Sequence, residues 1–355
     1  MKRFLDERVA GLFPGYFALC MATGIVSIAC SLMGMPRLAR ALLFINVPAY
    51  ALLVVLTLAR FILYRDRVAA DLCDHGRAPG FFTSVAATSV LGTELLTIEG
   101  EPAAPRVLWI VGIVLWLIVT YAFFTIVTVK QEKPPIEKGL NGSWLLAVVA
   151  TQSVAVLGPL LAQHEAASDL REVALFFCLS MFFVGCLFYL ALITLILYRF
   201  IFFRFTSAQL APPYWINMGA VAITTVAGAN LVGAAPLSPL LTGIAPFLSG
   251  LTIAFWAIAT WWIPLLVVLG VWRHGIEHMR FEYDPQYWGI VFPLGMYTVA
   301  TVRLATVLEL PYLLAIPRYF VFVAIRAWAL TLAGFLYRVI RPATEVAIRT
   351  SRPPP

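Results

Sequence analysis

The sequence predicts an all-α integral membrane protein of ten transmembrane helices, folded as five helical hairpins around a central pore. Hydrophobic residues make up 61% of the chain, charged residues 12%, and mean hydropathy is +0.90. Several stretches exceed the roughly 18 apolar residues that mark a spanning helix, which excludes a soluble domain. A short motif also recurs: Pro285-Gln-Tyr-Trp288 returns as Pro14-Gly-Tyr-Phe17, Pro79-Gly-Phe-Phe82 and Pro212-Pro-Tyr-Trp215, and more weakly as Asn141-Gly-Ser-Trp144. The anchors at 14, 79, 141, 212 and 285 lie 62 to 73 residues apart, a period that holds one pair of membrane helices with its loops. Finally, the helices alternate in kind. The seventh is rich in Gly, Ala and Thr, whereas the sixth is dominated by Leu, Phe, Ile and Val. Small residues permit close approach or leave a lumen, and bulky ones suit lipid, so the odd-numbered helices are expected to form an inner ring. The same composition also describes a solid bundle without a pore.

The first hairpin is read at 9–33 and 39–64. Lys2 and Arg3 before an apolar run resemble a secretory signal, and Ser27-Ile-Ala-Cys30 loosely resembles a lipoprotein cleavage site. The motif at Pro14 makes the segment the first copy of a structural unit instead. The second hairpin spans 80–98 and 106–129, and the third, opening on the weak copy, 143–162 and 172–198. The fourth covers 214–233 and 243–271. It ends in His274-Gly-Ile-Glu-His278, where histidines at i and i+4 suit a metal, but the order is not that of a metalloprotease and a solvated basic helix end is expected. The fifth spans 287–308 and 313–338. Proline in the first turn of a leading helix loses no hydrogen bond, and the aromatic residues after it fit an interfacial belt. Residues 1–340 are expected to form one domain and 341–355 a short disordered cytoplasmic tail.

Of the 25 Lys and Arg residues, 18 fall in the N-terminus, the alternate loops and the C-tail, and five, namely Arg37, Arg40, Arg106, Arg171 and Arg318, in the other loops. The positive-inside rule therefore places both termini in the cytoplasm of a cell (inner) membrane. The net charge of +7 is spread over short loops rather than one face, so no nucleic-acid partner is expected. Of the five cysteines, Cys20, Cys30, Cys178 and Cys186 lie within apolar helices and Cys73 in a loop, which argues against a disulfide framework and a metal site. No histidine falls in a span, no phosphate loop or nucleophile elbow is present, and no cofactor is expected, so an enzyme is the weaker class.

Within the ninth helix Phe292 stands directly before Pro293, which removes a backbone donor and should bend the helix, with Gly295 easing the bend. A bulky ring at a bend suggests a pore gate; packing is the bland alternative. Aligning the five motifs places Met21, Ala86, Val148 and Gly219 level with Phe292. Hydroxyl and amide side chains on the inner helices, among them Thr88, Thr151, Gln152, Thr224 and Thr298, are candidates to line a wet lumen, or else bond within their own helices. Ionisable groups at membrane depth are functional candidates. Glu94 and Arg303 lie 15 and 18 residues beyond their repeat prolines, roughly 22 and 27 Å along. They suggest a charged outer vestibule in which Arg303 attracts anions and Glu94 pairs with it or tunes it; snorkelling or burial is the alternative. Arg326, midway along the last helix, is expected at a helix or subunit contact.

Trp288-Gly-Ile-Val-Phe-Pro-Leu294, together with the five hairpins, resembles the tellurite-resistance and C4-dicarboxylate transporter family, which includes plant slow anion channels, fungal malate permeases and sulfite exporters. Asp74-His-Gly-Arg-Ala-Pro-Gly-Phe-Phe82 and Asn141-Gly-Ser-Trp-Leu-Leu146 look like a bacterial branch of it. The resemblance covers nearly the whole chain. It implies a homotrimer with one pore per subunit, occluded by a phenylalanine of the ninth helix, a role that maps onto Phe292. The expected activity is an anion-selective channel or uniporter for chloride- or nitrate-like anions or C4-dicarboxylates. The alternatives are a proton-coupled exporter of malate-like acids, sulfite or tellurite, and a membrane-embedded sensor or enzyme subunit.

Overall fold

The computed structural model describes residues 7–279 and 283–350. Among these, ten helices are long and apolar enough to cross a membrane: α1 (Pro14–Leu32), α2 (Pro36–Leu63), α3 (Ala78–Glu99), α4 (Ala103–Val129), α5 (Gly142–Ala162), α6 (Ser168–Phe202), α7 (Pro212–Gly233), α8 (Pro239–Ile276), α9 (Pro285–Val307) and α10 (Pro311–Arg338). The chain is a multi-pass membrane protein. Every odd-numbered helix opens with one tight 3₁₀ turn. Proline presets φ in four of these turns; in α5 the Asn141 side chain accepts from the Ser143 N–H and satisfies the opening instead.

The element ends depart from sequence expectation where capping signals prevail over apolar runs. α8 starts at Pro239 because Ser238 accepts from the Leu241 N–H, and it continues into a π-turn over Trp272–Ile276. A short helix, Arg65–Cys73, follows α2. The last helix is carried to Thr350, through a stretch expected to be an irregular tail, and 351–355 lie outside the described residues.

The odd helices close a ring: α1 packs on α3, α3 on α5, α5 on α7, α7 on α9, and α9 back on α1. Each even helix lies outside, wedged between its own inner partner and the next one, and α10 reaches α1 to complete the circuit. Between 72% and 94% of the apolar windows of the inner helices is buried, against 11% to 50% for the outer ones, which separates a protein-packed layer from one built to face lipid. Close approach rests on small residues. A Cβ on Gly219 would lie 2.8 Å from Cγ of Pro293, and one on Gly80 2.8 Å from the Gly15 nitrogen.

The ends on which the inner helices begin, hereafter the starting face, are tied by charge. Asp71 of the short helix accepts from Arg60 at 2.7 Å and from Arg77 at 2.6 Å, with Arg60 and Asp71 both buried. Arg77 also lies over the Phe13 ring. A buried carboxylate held by two guanidiniums fixes the short helix against α2 and the approach to α3.

Candidate functional site

Two cavities lie on the ring axis. The one on the starting face, about 80 Å³, takes residues from all five repeats, including Ala18 and Met21, Gly80 and Thr83, Ser143 and Leu146, Pro213 and Ile216, and Gly289 and Phe292. The second, about 20 Å³, lies beyond it and also draws on all five inner helices, with Ile25, Val90, Ser153, Ile223, Met296 and Arg303 among its lining. Such a volume holds about one water, so the axis is closed. Phe292, 1% exposed, forms the floor of the first cavity, and Met296, one turn on, belongs to the second.

The axis-facing positions share one spacing. α9 presents Gly289, Phe292, Met296, Val299 and Arg303; α7 presents Ile216, Ile223, Val226 and Asn230; α1 presents Ala18, Met21, Ile25 and Ile28. These are steps of three, four or seven residues, one stripe of a 3.6-residue helix. α3 presents Gly80, Thr83, Val90 and Thr93; by helical phase Ala86 and Gly219 continue the stripes of α3 and α7, level with Met21 and Phe292, although neither lines a cavity. Val148 does not. α5 presents Leu146, Ser153, Val156 and Leu160, so by helical phase the level residue is Val149, and Val148 points about 100° away from it. The shift arises because Asn141 is the cap before the opening turn, whereas Pro14 is the first residue within it; the counterpart of Pro14 is Gly142.

The expected hydroxyl lining is turned the other way. Thr88 bonds the Tyr50 hydroxyl at 2.7 Å, Thr151 accepts from Trp116 Nε1 at 2.8 Å, and Gln152 donates to the Phe182 carbonyl at 3.1 Å. Thr224 and Thr298 donate to the carbonyls of Ala220 and Leu294 within their own helices. None of the five lines either cavity. The hydroxyls that face outward satisfy aromatic donors of the outer helices, as Trp328 to Thr23 and Trp256 to Thr301 also show, so they latch the two layers together. Gly295 likewise serves contact: a Cβ there would lie 2.8 Å from Ile25 Cγ2.

The axis is therefore mostly apolar, and its charge is concentrated at one place. Arg303 lines the far cavity, and among the described residues no carboxylate lies within ion-pair distance of it. Thr93 and Ser153 donate their hydroxyl protons to the Ser89 and Ala150 carbonyls, and Asn230 donates to the Val156 carbonyl. That leaves the guanidinium as the strong donor facing the lumen. Glu94, placed beside Arg303 by depth alone, lies elsewhere. Its Oε2 accepts from Asn46 Nδ2 of α2 at 2.6 Å, it is fully buried, and it sits across from Gly24 of α1, outside both cavities. The expected Glu94–Arg303 pair is not formed.

Arg199, at the end of α6, is, like Arg60, a buried cation. It donates to the Leu140 carbonyl and the Tyr214 hydroxyl and lies over the rings of Phe205 and Tyr214. Tyr214 lines the starting-face cavity, so a guanidinium held by neutral groups stands behind that wall. An arginine near the end of an apolar helix followed by an aromatic cluster was the available signal. Arg326 is exposed on α10, and among the described residues it makes no ion pair or hydrogen bond.

A closed ring of five membrane helices, with cavities on its axis and a guanidinium facing one of them, is the architecture of a membrane transport protein. Residues 12–336 match the family model described as voltage-dependent anion channel, and the chain belongs to that family of anion transporters. It is 25% identical over 305 residues to an uncharacterized transporter of Methanocaldococcus jannaschii, covering 82% of this chain and 83% of the relative. It is 23% identical over 353 residues to a sulfite efflux pump of Trichophyton rubrum, covering 93% and 91%. An uncharacterized membrane protein of Mycobacterium tuberculosis is 35% identical over 153 residues, covering 42% of this chain and 76% of that protein.

Proposed function

We propose that the chain is an anion-selective channel or uniporter of the cell (inner) membrane, with both termini cytoplasmic and one pore per subunit of a homotrimer. Phe292 is its gate and Arg303 the group that draws anions into the far half. The observation that carries this reading is the placement of the Phe292 ring, buried between two axial cavities, with the lone guanidinium in the second. The substrates are small anions, for which chloride, nitrate, sulfite and C4-dicarboxylates are the panel to test; sulfite enters through the Trichophyton rubrum pump. A mostly apolar lumen with one cation selects by charge and dehydration cost rather than by named contacts. Flux of that panel from proteoliposomes under an imposed potential tests the reading. Transport of at least one of these anions supports it; none, from protein verified as folded, refutes it.

The coupled-exporter reading needs a titratable group in the pathway. Glu94 is the carboxylate at that depth, and it lies behind the axial stripe, bonded to Asn46. Glu94→Gln is therefore expected to alter rate or expression without abolishing flux, and flux should follow the anion's electrochemical gradient alone. Accumulation driven by a pH gradient at zero potential, lost in Glu94→Gln, would establish the exporter instead.

Assembly follows from Arg326. It is exposed beside Phe322 and Val323 and on the same helix as Leu330, all exposed apolar residues, and an unpaired charge facing lipid at mid-depth is costly enough to require a protein partner. Mass measurement in native nanodiscs is expected to give three chains, and Arg326→Leu to change that distribution. A clean monomer of the unmodified protein contradicts the trimer.

A further inference from the structure

The π-turn that ends α8 places Arg273 at the polar end of a groove of about 600 Å³ on the starting face. The groove runs between the end of α8 and the openings of α7 and α9, and Leu266, Gly270 and Val271 line it with Trp215, Tyr287 and Ile290. Arg273 Nε is buried, and among the described residues the side chain makes no hydrogen bond or ion pair. A donor removed from water without an acceptor is unfavourable, and more so when charged. Within a soluble domain a water could supply the acceptor; here, apart from His274 and the tyrosine hydroxyls, the groove is lined by apolar residues of the membrane-spanning helices. On the other side of α8 a second groove, about 880 Å³, shares Val267 and Val271 but has no charged residue in its lining. That one is an ordinary lipid-facing furrow. The first differs by the Arg273 guanidinium and its neighbour His274, set where an acyl chain would meet its headgroup, between aromatic residues typical of the interface.

We infer that this groove binds one anionic phospholipid of the starting-face leaflet, its phosphate on Arg273 and an acyl chain along Gly270 and Leu266. A phosphodiester supplies the acceptor that Nε lacks, and the chain fills apolar space. The site does not depend on whether the axis conducts.

The test is native mass spectrometry of the full chain, exposed to equal amounts of phosphatidylglycerol and phosphatidylcholine with matched chains. One phosphatidylglycerol per chain should be retained in preference, by about fivefold, since one basic residue near a membrane surface contributes about 1 kcal/mol toward an anionic lipid. Arg273→Gln should remove the preference and Arg273→Lys keep it. Gly270→Trp should reduce retention of either lipid; a Cβ at Gly270 meets nothing within 4 Å, so the change fills the groove without a clash at its root. Equal retention of the two lipids by the unmodified chain, or an unchanged preference in Arg273→Gln, overturns the inference. So does displacement by inorganic phosphate, which would mark a free-anion site, or loss of subunit association in Gly270→Trp, which would mark the groove as a seat for a second copy. Binding is the readout, so a chain that holds lipid but passes no anion would remove the channel reading and leave this one standing.

Discussion

Phe292→Ala is expected to raise anion conductance at least tenfold while the protein still folds, because the ring is the bulkiest group at its level. Its level neighbours are Met21, Ala86, Val149 and Gly219, three of them small or β-branched, and the ring separates a cavity of about 80 Å³ from one of about 20 Å³. Lowering the barrier by about 1.4 kcal/mol already multiplies a rate tenfold, and removing an aromatic ring from a constriction narrower than a hydrated anion should exceed that. The competing reading is that Phe292 only packs. It predicts a different result: truncating a buried phenylalanine in a close-packed core costs about 3–5 kcal/mol, so yield and thermal stability would fall with no gain in conductance. Conductance in planar bilayers and a thermal melt in the same detergent distinguish the two.

Arg303→Gln is expected to lower anion flux by tenfold or more, and Arg303→Lys to retain most of it. At an effective dielectric constant near 20, a cation about 5 Å from an anion contributes roughly 3 kcal/mol of attraction, and among the described residues no carboxylate offsets this charge. The loss should be largest at low ionic strength, since a partly exposed charge is screened by salt. Unchanged flux in Arg303→Gln would show that the side chain turns to the headgroups and away from the lumen. Because Arg303 lies on the same stripe as Phe292, three turns further on, the double variant Phe292→Ala/Arg303→Gln should conduct, but with reduced preference for anions.

Spans and hairpins were legible in the sequence because hydropathy and a proline-aromatic motif mark them directly. Phe292 stood out because it precedes the proline within the repeat. The azimuth of each side chain was not legible, since a helix buried on all sides carries no amphipathic phase. Thr88 and Thr151 are as polar as any lumen group, yet they face Tyr50 and Trp116. Glu94 and Arg303 match in depth but differ in direction, and only the packing of Asn46 against Glu94 reveals it. The slip at Val148 has a simpler origin. Asparagine and proline both open helices, but asparagine does so from the cap and proline from the first turn. Aligning them as equivalents shifts α5 by one residue, about 100° around the helix. Arg199 was not legible as a buried cation because a basic residue at a helix end is already explained by membrane topology, and its neutral partners come from the loop before α5 and the opening turn of α7.

Anions are expected to cross along the axis of the five-helix ring past Phe292. The most direct measurement is the reversal potential of Phe292→Ala in a planar bilayer with unequal potassium chloride on the two sides. Reversal is expected near the equilibrium potential of chloride, with current blocked when a bulky thiol reagent modifies a cysteine introduced at Met296 on the same stripe. A reversal near the potassium potential, or a current indifferent to that modification, would contradict it.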